Sequence, residues 1–258
     1  MSQVDVPLVR TGFGQTRRAD NWWVQPLFVF LGLSTFIVYS TWAALQGQHF
    51  RFGPYLSPFY SPELFGSADA WFGANPKWLP AWVTAAMLIL WAPGGFRVTC
   101  YYYRGAYYKA FWADPPSCTV GEPRKKYLGE RSFPLIIQNI HRYFLYLALV
   151  FLIILARDVW NALWFDGHFG IGVGTLVLLT NVVLLSSYTF GCHSFRHLIG
   201  GFRDRLAGRP VRKLAYDCVS CFNRRHMLFA WCSLCSVGFS DLYIRLCSMG
   251  IWHDWRIL

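Results

Sequence analysis

Five long apolar stretches alternate with short polar, basic segments along the chain, at about 23–45, 78–100, 133–155, 169–197 and 222–249. Each reaches the roughly 20 helical residues that a hydrocarbon core demands. The pattern predicts an all-α membrane protein: a polar arm over 1–22, then a single five-helix transmembrane bundle over 23–258. The second stretch is interrupted by "APGGF" (92–96), where the helix is expected to break. The fifth is the least apolar, holding Cys232, Ser233, Cys235, Ser236, Ser240 and Asp241, and is expected to face other helices rather than lipid. Between the first two runs "GQHFRFGPYLSPFYSPELFGSADAWFGANPK", with four prolines and little periodicity, expected to cap one face of the bundle. Asp241 and Arg245, one turn apart near the outer end of the fifth stretch, read as a structural pair.

Composition strengthens the membrane reading. Of 258 residues, 55% are hydrophobic, 19% aromatic and only 14% charged, against about 25% charged in soluble domains. Trp and Tyr favour the headgroup level. The N-terminal arm is polar and basic without an apolar run, so no cleavable signal peptide is expected. Five crossings place the termini on opposite sides. Nineteen Lys and Arg fall on one side: seventeen in the N-terminal arm and the segments that follow the second and fourth stretches, with Arg142 and Arg196 at helix ends facing that side. Five fall on the other side: Arg51, Lys77, Arg157, Arg245 and Arg256. That bias predicts a cytoplasmic N-terminus and an outer C-terminus in a bacterial cytoplasmic membrane. The net charge of +11 is then mostly topology, and nucleic acid is not an expected partner. The eight cysteines lie in apolar stretches or on the basic side, where thiols stay reduced.

Ionisable groups inside apolar stretches are costly and mark function. His141 and His193 each lie eight residues from the cytoplasmic end of their stretch, about 12 Å along a helix. Antiparallel neighbours would bring them to one level. His197 is one turn nearer the cytoplasm on the same face as His193, Cys100 closes the second stretch, Cys118 follows it, and His226 opens the fifth. Imidazole and thiolate are ligands for iron, zinc and iron–sulfur clusters, so redox chemistry is expected on this side. One haem b fits His141 with His193 or His197. Two haems do not fit, because no outer half-span carries a His pair. A Rieske-type [2Fe–2S] centre, two Cys on one iron and two His on the other, fits Cys100, Cys118, His141 and His193 or His197. Spacing does not choose between haem and cluster. The pairs "CVSC" (218–221) and "CSLC" (232–235) resemble halves of a zinc ribbon, but the second lies inside a span, where buried small hydrophobes is the simpler role. A transporter is disfavoured because the polar residues gather at one side instead of lining a path, and a zinc hydrolase because the third and fourth stretches hold no acid.

The segments "GGFRVTCYYYRGAYYKAFWADPPSC", "FPLIIQNIHRYF", "YTFGCHSFRHLIGG" and "NRRHMLFAWCSLCSVGFSDLYIRLCSMG" resemble the membrane-anchor subunit of a succinate dehydrogenase class found in actinobacteria. The resemblance runs from about Trp22 to the C-terminus. It implies a five-helix anchor of respiratory complex II, partnered by a flavoprotein and an iron–sulfur subunit on the cytoplasmic side, that delivers electrons from succinate to quinone. In mycobacterial members it implies a haem-free anchor with a membrane-embedded Rieske-type [2Fe–2S] cluster on two His and two Cys. Carried over, the ligands are Cys100, Cys118, His141 and either His193 or His197. Cys192 is a reserve thiolate, turned about 100° from its neighbour His193. Docking is expected through "RVTCYYYRGAYYK" and "GGFRDRLAGRPVRK". Quinone carbonyls need hydrogen-bond donors in an apolar slot, for which Trp22, Arg97, Tyr101, Tyr103 and His226 are candidates by location.

Overall fold

The computed structural model describes residues 12–67, 70–80, 82–113, 115–123, 131–133, 135–201 and 208–258. Residues 202–207 of the second expected docking segment lie outside the described residues, as does the basic segment 124–130. Among the described residues four helices are long and apolar enough to cross a membrane. They are α1 (Val24–Gln46), a helix over 136–161 whose α-helical part is α5 (His141–Asn161), α6 (Val173–Phe190) and α9 (His226–Ser248). Large apolar side chains such as Phe28, Val38, Tyr143 and Ile153 point outward, as lipid-facing surfaces do and water-facing ones do not. The windows of α6 and α9 are the most buried of the four, in keeping with the inward role expected of the polar fifth stretch.

The second apolar stretch is not one long helix. It forms α2 (Ala85–Ile89) and α3 (Trp91–Thr99), joined at Leu90, then α4 (Tyr101–Ala106) and a π-helical turn, Tyr107–Phe111. Thr84 caps α2 by accepting from the Met87 N–H. The "APGGF" segment lies inside α3 and does not break it. Pro93 falls in the first turn, where a missing N–H costs little, and the ladder resumes with Gly94 N–H donating to the Leu90 carbonyl at 2.9 Å. Gly95 is required by packing, since a Cβ there would collide with the Phe144 ring of α5.

The fourth stretch is likewise divided. Helix α6 ends at Phe190, and α7 (His193–Gly200) starts after Cys192, whose sulfur accepts from the Ser194 N–H. A Cβ on Gly191 would sit 3.0 Å from the Ser187 carbonyl oxygen and 3.1 Å from both His226 Nδ1 and the Phe222 carbonyl oxygen. The break thus packs against the junction of α8 (Pro210–Arg224) and α9. The expectation of one continuous helix carrying His193 at the depth of His141 is corrected by this break.

The opposite end is closed by the proline-rich loop and the C-terminal tail. Short hairpins form at β1–β2 (Arg51–Phe52, Tyr55–Leu56) and β3–β4 (Trp164–Phe165, His168–Phe169). Tyr60 donates to the carbonyls at the end of α1 and stacks on Phe50 at 4.2 Å. Asp241 and Arg245, both fully buried, form the expected pair with N–O 3.3 Å, and Tyr39 and Ser57 donate to the same carboxylate.

Candidate functional site

Four donors meet at helix junctions near one end of the bundle. Cys100 is the extended C-cap of α3. His141 is the first residue of α5, after a 3-10 segment, Leu135–Ile140. Cys192 is the N-cap of α7, and His226 opens α9 after the break at Arg225. A junction lets a side chain leave the helix wall at an angle that a continuous helix does not offer, and here the four turn into one space. All are buried, with Cys192 at 1% and Cys100 at 2% exposure, and His141 and His226 below a tenth. They line a common cavity of about 620 Å³, whose wall also includes Tyr101, His193 and Arg224.

The donors fall into two contacts. His141 Nε2 lies 2.9 Å from the Cys192 sulfur, and His226 Nε2 lies 3.5 Å from the Cys100 sulfur. Among the described residues no three His, Cys, Asp or Glu side chains are gathered as a single ion would require. Aromatic rings fix both imidazoles: Phe96 stacks on His141 at 4.7 Å, and Tyr188 on His226 at 4.9 Å. The tautomer of His141 follows from its neighbours. Thr99 Oγ1 donates to the Gly95 carbonyl at 2.7 Å, so toward His141 Nδ1, 2.8 Å away, it accepts. That leaves the proton on Nδ1 and a free lone pair on Nε2, the state a metal ligand needs. His226 Nδ1 is buried without a hydrogen-bond partner.

The other residues singled out in the sequence are placed as follows. Cys118 is exposed on a loop tied to the N-terminal arm, where Arg18 donates to its carbonyl at 3.0 Å and Thr16 to the Thr119 carbonyl at 2.9 Å. It does not line the cavity. His193 is exposed at the cavity wall, with the Tyr101 ring edge-on at 6.2 Å, while His197 is exposed and outside it. Tyr103 is buried and donates to the Ala230 carbonyl at 3.0 Å; Trp22 lies at the start of α1, away from both cavities. Arg97 lines a second, apolar cavity of about 160 Å³ together with Phe36, Ser40, Phe96, Leu152 and Tyr188. The Tyr188 hydroxyl is fully buried and without a partner at hydrogen-bonding geometry. Sequence reasoning held Cys192 in reserve and assigned His226 to quinone. The signal that pairs them with Cys100 and His141 is the Gly–Cys–His–Ser break, with Ser194 completing the turn.

The profile of the family described as "Actinobacterial succinate dehydrogenase subunit SdhC" matches residues 24–250. A solved structure titled "Mycobacterium smegmatis Sdh1 complex in the apo form" contains a chain 42% identical, aligned over 94% of each chain with a TM-score of 0.88. A search of curated proteins gave no match.

Proposed function

The chain belongs to the actinobacterial succinate dehydrogenase SdhC family, and from that premise we propose that it anchors a succinate:quinone oxidoreductase in the bacterial cytoplasmic membrane and carries electrons to quinone. The proposal includes five crossings, counting α2 and α3 together as the broken second one, with the N-terminus cytoplasmic. A flavoprotein and an iron–sulfur subunit dock on the basic side, where the positive-inside bias and the four buried donors coincide. Succinate itself is oxidised in those partners, and this chain makes no bond to it.

The observation that carries the reading is the buried set of Cys100, His141, Cys192 and His226. Two thiols and two imidazoles are the donor set of a Rieske-type [2Fe–2S] centre. Each contact pairs one His with one Cys, so the set matches such a centre in the number and kind of its donors, and the lack of a three-donor group among the described residues argues against a single-ion site. The unfinished bonding of His226 Nδ1 fits the same group. Such a centre supplies one-electron transfer at membrane depth. The chain's residues do the rest. Thr99 holds the His141 tautomer, Phe96 and Tyr188 hold the ring planes, and burial keeps water from the sulfurs.

The apolar cavity beside the set suits a quinone ring. Its walls are aromatic and aliphatic, and the Tyr188 hydroxyl and the remaining N–H groups of Arg97 are the donors available for carbonyl oxygens. Quinone reduction consumes two electrons and two protons. Phe96 and Tyr188, which stack on His141 and His226, also line this cavity, so a group held by the four donors would adjoin the quinone it would reduce.

The test is low-temperature electron paramagnetic resonance of the purified, chemically reduced complex, with acid-labile sulfide and an optical spectrum. A rhombic signal of low average g with sulfide is expected. A haem spectrum without sulfide replaces the cluster by a single haem b. Neither signal in an intact complex leaves an anchor that carries no electron.

A further inference from the structure

Arg97 and Arg245 are both placed among helices, but they are neutralised differently. Arg245 has the Asp241 carboxylate at 3.3 Å. Arg97 has only neutral partners: its Nη1 donates to the Tyr103 hydroxyl at 3.0 Å and the Ala230 carbonyl at 3.1 Å, and its Nη2 to Ser233 Oγ at 3.0 Å. No carboxylate pairs with it among the described residues. A cation in a low-dielectric interior is costly without a counter-charge. A thiol that becomes a thiolate ligand would supply negative charge close by along the chain. Arg97 lies one helical turn before Cys100, whose N–H donates to the Arg97 carbonyl at 3.1 Å. Its guanidinium stands 4.8 Å over the Tyr188 ring, the ring that stacks on His226.

We propose that Arg97 is the built-in counter-cation of the Cys100–His141–Cys192–His226 site and sets the reduction potential of the group bound there. The inference rests on the reading above. A two-iron, two-sulfide core on two thiolates and two neutral imidazoles is neutral when oxidised and singly negative once it has accepted one electron from the iron–sulfur partner. No bond is made or broken in that step. A fixed positive charge stabilises the reduced form and raises the potential, as net charge and hydrogen bonding at the sulfurs do in such centres.

The experiment is a redox titration of the low-temperature resonance in the intact complex, with signal normalised to acid-labile sulfide. Arg97→Gln is expected to disfavour reduction at least tenfold, about 59 mV for one electron, while Arg97→Lys stays near wild type. Ser233→Asp keeps the arginine and sets a carboxylate against Nη2. It is expected to lower the potential in the same direction, and it tests the charge where Arg97→Gln fails to assemble. A purely structural arginine would change the amount of signal and not its midpoint. Unchanged midpoints in Arg97→Gln or Ser233→Asp overturn the proposal. A wild-type complex with no iron–sulfur signal instead removes the reading beneath it.

Discussion

His141 Nε2 lies 2.9 Å from the Cys192 sulfur, across 51 residues of sequence and between two different helix junctions. A neutral imidazole and a buried thiol at this distance form a weak contact for a protein alone, and a ready one for a shared metal group. The contact depends on α6 ending at Phe190. A helix continued through Gly191 would carry Cys192 around the helix axis, and at the break itself a Cβ on Gly191 would press on the Phe222 carbonyl and His226.

Thr99 orients His141 through Nδ1. Thr99→Val keeps the volume and removes the acceptor. Loss of an outer partner of this kind costs about 10–100-fold in metal affinity. Iron release from the purified complex to a chelator is expected to quicken by about tenfold or more, with the helical content unchanged.

The outer ion pair is structural. Asp241→Ala leaves Arg245 buried without its carboxylate and strips Tyr39 and Ser57 of their acceptor. Breaking one side of a buried pair costs about 3–5 kcal/mol. Thermal unfolding in detergent is expected to fall clearly, while any resonance from the centre in material that remains folded keeps its line shape.

Gly95 and Gly94 are adjacent on α3 but meet different surroundings. Gly95→Ala drives a methyl into Phe144, whereas a Cβ on Gly94 meets nothing within 4 Å. Overpacking costs about 1–3 kcal/mol, so Gly95→Ala is expected to lower thermal stability and Gly94→Ala to leave it level.

Gly94 also borders the apolar cavity. Gly94→Leu extends side-chain volume toward it and is expected to depress succinate:quinone activity severalfold, chiefly through KM for quinone. Succinate oxidation with a soluble dye acceptor, which bypasses the membrane, is expected to stay near wild type. Equal loss in both assays would remove the cavity from the quinone route.

Much of this was legible in the sequence. The apolar stretches marked all four long helices, and the polar content of the fifth anticipated the burial of α9. Cys100 and His141 were read as candidate donors from their positions at the basic end, and both are buried on one cavity. The partners were harder to read because hydrophobicity reports that a segment is apolar and not where its helix stops. Taken as one helix, 169–197 turns Cys192 away from His193; the break at Gly191 turns it toward His141. Cys118 is near Cys100 in sequence and on the expected side, but Arg18 and Thr16 hold its loop to the N-terminal arm. The "APGGF" segment read as a break because Pro and Gly punctuate helices in general, yet a proline in the first turn costs little.

The most direct measurement compares the reduced complexes of Cys192→Ser and Cys118→Ser by low-temperature electron paramagnetic resonance, beside wild type. If the centre sits on Cys100, His141, Cys192 and His226, the Rieske-type signal is lost or strongly shifted in Cys192→Ser and unchanged in Cys118→Ser. The reverse outcome, with Cys118→Ser losing the signal and Cys192→Ser keeping it, contradicts the four-junction site.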